Sequence, residues 1–322
     1  MIPDANQHSR NDFARVLVAG SNGFIGKALC RYLFTQGLSV SGLDRMIGHR
    51  DDSSWQIDLL NEAEVNRVLR QVMPNVVFHS VGVVGSDDED QLHLAHVETT
   101  RILLQSVHKE CSSARVVVLG SAAEYGHSTM SSGQVTEDSP PHPVSAYGKS
   151  KLIQSELARH LASELSLDVV CVRLFNILGP GQTPQLVGGA MVNRLWMAIQ
   201  DHLKYLDVYD PDSERDFLDV RDVARLLWRV ATQLERNQAR PPIHIASGEP
   251  TTVSELARTL LTAANVNTSV ELRLINRPSR TSMIGQPLTL KRLLESTPVR
   301  QISLVDSLRD MWEWIIQHNE RR

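Results

Sequence analysis

Short β-branched runs separated by longer amphipathic stretches organise the first half of the chain. Arg15-Val16-Leu17-Val18-Ala19, Ser39 to Leu43, Val76-Val77-Phe78, Val116-Val117-Val118-Leu119 and Val169-Val170-Cys171-Val172 read as strands. Ile25 to Gln36, Ala95 to Lys109 and Ser145 to Glu164 read as helices. Strands alternating with helices of this length imply right-handed crossovers and a parallel sheet covered on both faces. The expected class is therefore α/β, with a doubly wound parallel sheet.

Beyond Gly179 the pattern loosens. Pro180, Gly181, Pro184, Gly188 and Gly189 punctuate a loop, and mixed helices and short strands follow. Asn237 to Pro242 reads as a surface connection before a strand at Ile243-His244-Ile245 and a helix from about Val253 to Ala264. A second, smaller lobe is expected, with the chain crossing between lobes more than once.

Composition narrows the chemistry. The chain has 322 residues, 42% of them hydrophobic, enough for one large core or two joined ones, which excludes disorder and a disulfide-stapled miniprotein. With 33 Lys and Arg against 37 Asp and Glu, the formal net charge is -4. Nucleic acid and anionic membranes are therefore poor partners, and small molecules good ones. Cys30, Cys111 and Cys171 are widely spaced and odd in number, as expected of reduced thiols. Residues 1 to 13 are polar, and no later run approaches the roughly 20 apolar residues of a membrane span, so a cytoplasmic protein is expected.

Directly after the first strand stands Gly20-Ser21-Asn22-Gly23-Phe24-Ile25-Gly26, a GxxGxxG opening a helix. Such glycines permit a tight turn, close approach to a pyrophosphate and close packing of helix on strand, with the helix N-terminus facing the phosphate charge. Asp44 ends the second strand, where a carboxylate accepts from the adenosine ribose of NAD. Arg45 follows at once and is suited to the 2′-phosphate of NADP if Asp44 turns away. NADP or NAD is the expected cofactor, and Asp58, in Ile57-Asp58-Leu59, is placed to meet the adenine.

Tyr147-Gly148-Lys149-Ser150-Lys151 contains YxxxK on a helix, and the i,i+4 spacing sets Tyr147 and Lys151 on one face. An ammonium beside a phenol favours the phenolate, so the Tyr147 pKa is expected below its usual value near 10. Such a pair is common in helices; after a dinucleotide loop it becomes the leading catalytic candidate. Ser121 follows the strand ending at Leu119, at the carboxyl end where ligands bind in a parallel sheet.

These motifs resemble the extended short-chain dehydrogenase/reductases of the NAD(P)-dependent nucleotide-sugar epimerase/dehydratase superfamily. Ser121-Ala122-Ala123-Glu124-Tyr125-Gly126, Arg173-Leu174-Phe175-Asn176-Ile177-Leu178-Gly179-Pro180-Gly181 and Arg215-Asp216-Phe217-Leu218-Asp219-Val220 carry the likeness further. The resemblance implies a flexible tail at 1–13, a Rossmann NAD(P)-binding domain at 14–178, and a mainly substrate-binding lobe at 179–322 from which 217–247 returns to the first. It implies Ser121, Tyr147 and Lys151 as the catalytic set. For the cofactor it implies Gly20, Asn22, Gly23, Phe24, Ile25, Gly26, Asp44, Arg45, Asp58, Leu59, His79, Ser80, Tyr147 and Lys151. For a nucleotide-diphosphate sugar it implies Ser121, Ala122, Tyr147, Asn176, Arg215 and Arg277. The two arginines also read as surface ion pairs. Through the helices at about 92–109 and 145–164 it implies a homodimer.

The chain departs from the family pattern at His96, where asparagine is usual, at His79-Ser80-Val81-Gly82, where His-Leu-Ala-Ala is usual, and at Arg280, where an acid is usual. Family dehydratases carry an acidic pair after the catalytic Ser or Thr; here those positions are Ala122 and Ala123, which disfavours dehydration. Motif spacing is most similar to GDP-4-keto-6-deoxy-mannose reductases. The expected activity is thus reduction of a 4-keto-6-deoxy sugar nucleotide in deoxysugar biosynthesis, which favours NADPH. A 4-epimerase using tightly held NAD is the alternative, then a non-catalytic cofactor-binding protein. His93 and His96 share i,i+3 spacing without the further ligands zinc wants, so no metal is expected.

Overall fold

The computed structural model describes residues 15–46, 53–126, 133–238, 240–266, 270–276, 282–295 and 301–319. The N-terminal tail expected at 1–13, Arg277 and Arg280 lie outside them.

The chain opens with β1 (Arg15–Ala19), α1 (Phe24–Thr35), β2 (Ser39–Asp44), β3 (Ser54–Gln56), α2 (Glu62–Val72) and β4 (Val76–His79). Val16 to Ala19 and Val76 to His79 are wholly buried, which is why these strands read as unbroken apolar runs. Asn61 caps α2 by accepting from the Glu64 N–H. Next come α3 (Glu89–Leu92), a π-helical segment His93–Glu98 and α4 (Thr99–Cys111), which follow one another without a break. Then follow β5 (Arg115–Ser121), β6 (Gln134–Val135), α5 (Ala146–Glu164), β7 (Asp168–Leu174), β8 (Asn176–Leu178), α6 (Val187–Gln200), β9 (Tyr205–Tyr209) and β10 (Glu214–Asp219). The remainder is α7 (Val220–Gln233), β11 (Ile243–Ile245), β12 (Pro250–Thr252), α8 (Val253–Ala263), β13 (Glu271–Ile275), β14 (Ile284–Gly285), α9 (Leu288–Leu294) and α10 (Leu304–Asn319).

The main sheet has seven strands in the order β11-β7-β5-β4-β1-β2-β3. β1 pairs parallel with β2 and β4, β2 with β3, and β4 with β5. The chain winds one way from β1 to β3 and the other way from β4 to β5. The strand order therefore reverses between β1 and β4, and the carboxyl ends at such a switch point are where ligands bind in open parallel sheets. This is the expected α/β Rossmann fold.

The chain divides into two compact units. The first comprises Met1–Gly120, Ser150–Val172 and Leu227–Pro242; the second comprises Ser121–Lys149, Arg173–Leu226 and Ile243–Arg322. Of the segment 217–247, Leu227–Pro242 thus belongs to the first unit and the rest to the second. Leu17, Leu43, Leu69, Val77, Leu103 and Val116 anchor the first core. At the amino ends of β5 and β7, buried Arg115 pairs with Asp168 through a 2.7 Å bond. Leu195, Val208, Leu256, Leu308 and Trp312 anchor the second core. There β10 pairs parallel with β8 and antiparallel with β12, setting Arg215 opposite Thr251 and Phe217 opposite Asn176.

Candidate active site

In the first unit the glycine loop is built from backbone. Gly20 N–H donates to Leu43 O at 2.8 Å and Gly23 N–H to Gly20 O at 3.1 Å, closing the turn between β1 and α1. A Cβ on Gly26 would lie 2.0 Å from Gly20 O, so only glycine lets α1 start this close to the strand. Gly23 is the N-cap and brings no side chain, and the first turn from Phe24 and Ile25 carries no acid. The positive end of α1 is therefore left to an anion.

Asp44 stands half-buried beside this turn. Its Oδ2 accepts from Asn22 N–H at 2.9 Å and its Oδ1 from Met46 N–H at 3.1 Å, so the carboxylate faces the loop and has not turned away. Each oxygen keeps a lone pair for a ribose hydroxyl. Arg45 beside it is exposed. A helix N-terminus for pyrophosphate, a carboxylate for ribose and a nearby guanidinium together fit a nicotinamide dinucleotide. Asp58 is exposed and bonds Leu60 N–H at 3.0 Å, while the side chain of Leu59 packs into the core. Ser80 lies against the loop, donating to Ala19 O at 2.7 Å.

Around Lys151 the same unit forms a buried network. Lys151 Nζ donates to Leu119 O and to Gln154 Oε1, both at 2.8 Å. Gln154 Nε2 donates to Thr100 Oγ1 at 2.9 Å, and Thr100 Oγ1 donates to His96 O at 2.6 Å. The one Thr100 hydroxyl proton is thereby used, so His79 Nε2, 2.9 Å from Thr100 Oγ1, is the donor there. His79 Nδ1 then carries its lone pair, and this buried atom meets no hydrogen-bond partner among the described residues. His96 is the opposite tautomer: Nε2 accepts from Val83 N–H at 3.1 Å, so Nδ1–H donates to Ser150 Oγ at 2.8 Å. Burial, then the Lys151 charge, lowers both rings to a pKa of about 3, so both are neutral. His79 is thus held mainly through α4, and His96, in the asparagine position, ties the π-helical segment to the loop after β4 and to α5.

In the second unit Ser121 ends β5 and caps a short 3₁₀ turn, Ala122–Glu124. Its Oγ accepts from Ala123 N–H at 3.1 Å, and its own N–H donates to Glu124 Oε1 at 2.9 Å, a complete capping box. A Cβ on Gly148 would lie 2.5 Å from Ala123 O, so the start of α5 comes against this turn only because Gly148 is glycine. That approach brings Tyr147, the preceding residue, into a hydrogen bond with the Ser121 side chain. The expected lowering of the phenol is reversed. Burial pushes Tyr147 up to about 12, Glu124 adds to the rise and the Ser121 bond opposes it. Tyr147 is a protonated phenol at neutral pH.

Asn176 donates through Nδ2 to Asp216 O at 3.2 Å, and Arg215 donates to Glu214 O at 2.8 Å. Both sit on the paired strands β8 and β10 of the second unit. Asp216 is fully buried and accepts from Ser247 N–H, Ser247 Oγ and Gly248 N–H at 2.8 to 2.9 Å, which fixes the residue next to Arg215.

Residues 16–246 match the NAD dependent epimerase/dehydratase family. The chain belongs to it. It is 29% identical to a dTDP-6-deoxy-L-talose 4-dehydrogenase (NAD(P)(+)) from Kitasatospora kifunensis, over 80% of this chain and 81% of that one. It is 28% identical to a GDP-6-deoxy-D-mannose reductase from Pseudomonas aeruginosa, over 83% of this chain and 84% of that one. Among solved structures, RMD from Pseudomonas aeruginosa complexed with NADPH superposes with a TM-score of 0.78 at 26% identity, covering 94% of this chain and 99% of that one. Family membership makes the chain an enzyme-family Rossmann protein dependent on NAD or NADP.

Glu124 and Arg173 escaped the sequence reading. Glu124 is fully buried and its Oε2 accepts from Arg173 Nε at 2.8 Å. One signal was present: Ser121-Ala122-Ala123-Glu124 is an S-x-x-E capping box. The partnership with Arg173, 49 residues away, has no local signature.

Proposed function

We propose that this family member reduces the 4-keto group of a 6-deoxy sugar nucleotide with NADPH or NADH. The observation that carries the reading is the hydroxyl pair Ser121 and Tyr147, whose phenol is raised to about 12 and so holds a proton to donate. The neighbouring positions support it. Ala122 and Ala123 offer no acid or base for eliminating water, and the Glu124 carboxylate is committed to Ser121 N–H and Arg173. The two curated relatives, named as 4-dehydrogenase and reductase of 6-deoxy sugar nucleotides, point the same way.

In this reading the ketone oxygen takes the place between the Ser121 and Tyr147 hydroxyls and accepts from both. The bound nicotinamide cofactor supplies the hydride that reaches C4. Tyr147 gives its proton to the developing alkoxide and is reprotonated from solvent, so ketone and hydride become a secondary alcohol. Lys151, one helical turn beyond Tyr147 and fixed by Leu119 O and Gln154, orients the nicotinamide ribose. Asp44 and Arg45 take the adenosine ribose or its 2′-phosphate, and Asn176, Arg215 and Arg277 take the sugar diphosphate. The partly exposed apolar residues Leu94 and Ile153, on the helices expected to pair, support a homodimer, which sedimentation velocity tests directly.

A 4-epimerase is the second reading, favoured by Asp44 being set for the ribose hydroxyls of NAD. One assay separates them. Stoichiometric oxidation of NADPH or NADH by a 4-keto-6-deoxy sugar nucleotide is expected. Epimer formation from a 4-hydroxy sugar nucleotide, with no net cofactor consumption, overturns the reductase reading.

A further inference from the structure

We propose that Glu124 and Arg173 form a charged brace that positions Ser121, and through it Tyr147, for proton transfer; the proposal rests on Tyr147 being the acid. Ser121 is the last residue of β5. Glu124 Oε1 takes the Ser121 N–H at 2.9 Å and fixes that plane, while Ala123 N–H at 3.1 Å fixes the hydroxyl. A surface capping box does this with an exposed carboxylate. Here the carboxylate is fully buried and needs a countercharge, which Arg173 supplies from the end of β7.

Arg173 is itself fixed. Its guanidinium carbon lies 4.3 Å from the centre of the Tyr125 ring, and Tyr125 Oη donates to Thr136 O at 3.0 Å and bonds the His244 ring. The brace therefore ties Ser121 to four other segments of the second unit. A neutral cap would meet the Ser121 N–H equally well. What the carboxylate adds is charge: it disfavours the Tyr147 phenolate and keeps the acid loaded. The groups that act on Tyr147 are Ser121, through a hydrogen bond, and Glu124, through its charge, and Glu124 is itself paired with Arg173. Glu124 and Arg173 are positioning residues.

Two substitutions separate reach from charge. Glu124→Asp keeps the charge and loses a methylene of reach; the expected result is a kcat about 10²-fold lower with the alkaline limb of the pH profile in place. Glu124→Gln keeps the reach and loses the charge; the alkaline limb is expected about one pH unit lower. Thermal melting and cofactor titration report on folding. If Glu124→Gln leaves Arg173 uncompensated and does not fold, the double variant Glu124→Gln/Arg173→Met removes both charges and is expected to shift the limb in the same direction. Folded variants with parental kcat and a parental alkaline limb overturn the proposal, provided Tyr147→Phe is inactive. An active Tyr147→Phe instead overturns the assignment of the acid.

Discussion

The first unit surrounds its buried lysine with neutral groups, whereas the second secures its hydroxyls with a buried ion pair. Around Lys151 stand a carbonyl, an amide, a threonine and two uncharged imidazoles. Behind Ser121 stand a carboxylate and a guanidinium. The difference follows from the charge each must control. A buried ammonium keeps its charge if surrounded by oriented dipoles, and neighbouring histidines stay neutral because a second cation there is costly. A phenol that must keep its proton is served by a nearby negative charge, and that charge needs its own partner.

The sharpest way to break the comparison is Tyr147→Phe. Reduction is expected to fall about 10³-fold in kcat while cofactor affinity, held mostly by the glycine loop, Asp44 and Lys151, falls far less, as single-turnover kinetics and fluorescence titration will show. A loss of cofactor affinity as large as the loss in kcat would mean the two regions do not divide binding from chemistry.

Acid is the next lever. His79 and His96 have folded pKa values of about 3, lowered by burial first and then by Lys151, against about 6.5 in the unfolded chain. Because the unfolded chain takes protons first, the stability these neutral rings contribute is complete above about pH 6.5 and is lost as the pH falls toward 3. Each ring removes up to about 1.4 kcal/mol per pH unit in that window. Melting temperature measured from pH 8 to 4 is expected to fall below about 6.5, and less steeply in His96→Asn. His244 of the second unit shares the shift, so His96→Asn removes only its own part. An unchanged slope in that variant would sink the neutral-network account.

The smallest effect is expected at Asp44→Asn. Weakening a charge-assisted bond to the ribose is expected to cost NADH about tenfold in affinity, roughly 1.5 kcal/mol, and to spare NADPH. Equal losses for both cofactors would remove Asp44 as the discriminating group.

Much of this was legible in the sequence, for local reasons. Parallel strands buried on both faces leave apolar runs, and a helix packed tightly on a strand leaves Gly26, so fold and cofactor loop could be read residue by residue. The hydroxyl pair was legible as two motifs, and its contact depends on Gly148, which no spacing rule marks. The phenol's electrostatics were misread because i,i+4 spacing pointed to Lys151, while burial, Ser121 and Glu124 set the result. His96 with Ser150 and Glu124 with Arg173 join residues 54 and 49 apart, and only tertiary packing creates them.

The π-helical segment at His93–Glu98 can be counted as an ordinary helix carrying one surplus residue. Deleting one residue from it would restore regular α-helical hydrogen bonding, a local gain in stability. The same deletion would turn everything on one side of it by about a third of a circle and unseat His96 from Val83 and Ser150. A more stable helix would thus come at the expense of the surroundings of Lys151, which makes this wide turn a point where evolution toward stability and evolution toward turnover pull in opposite directions.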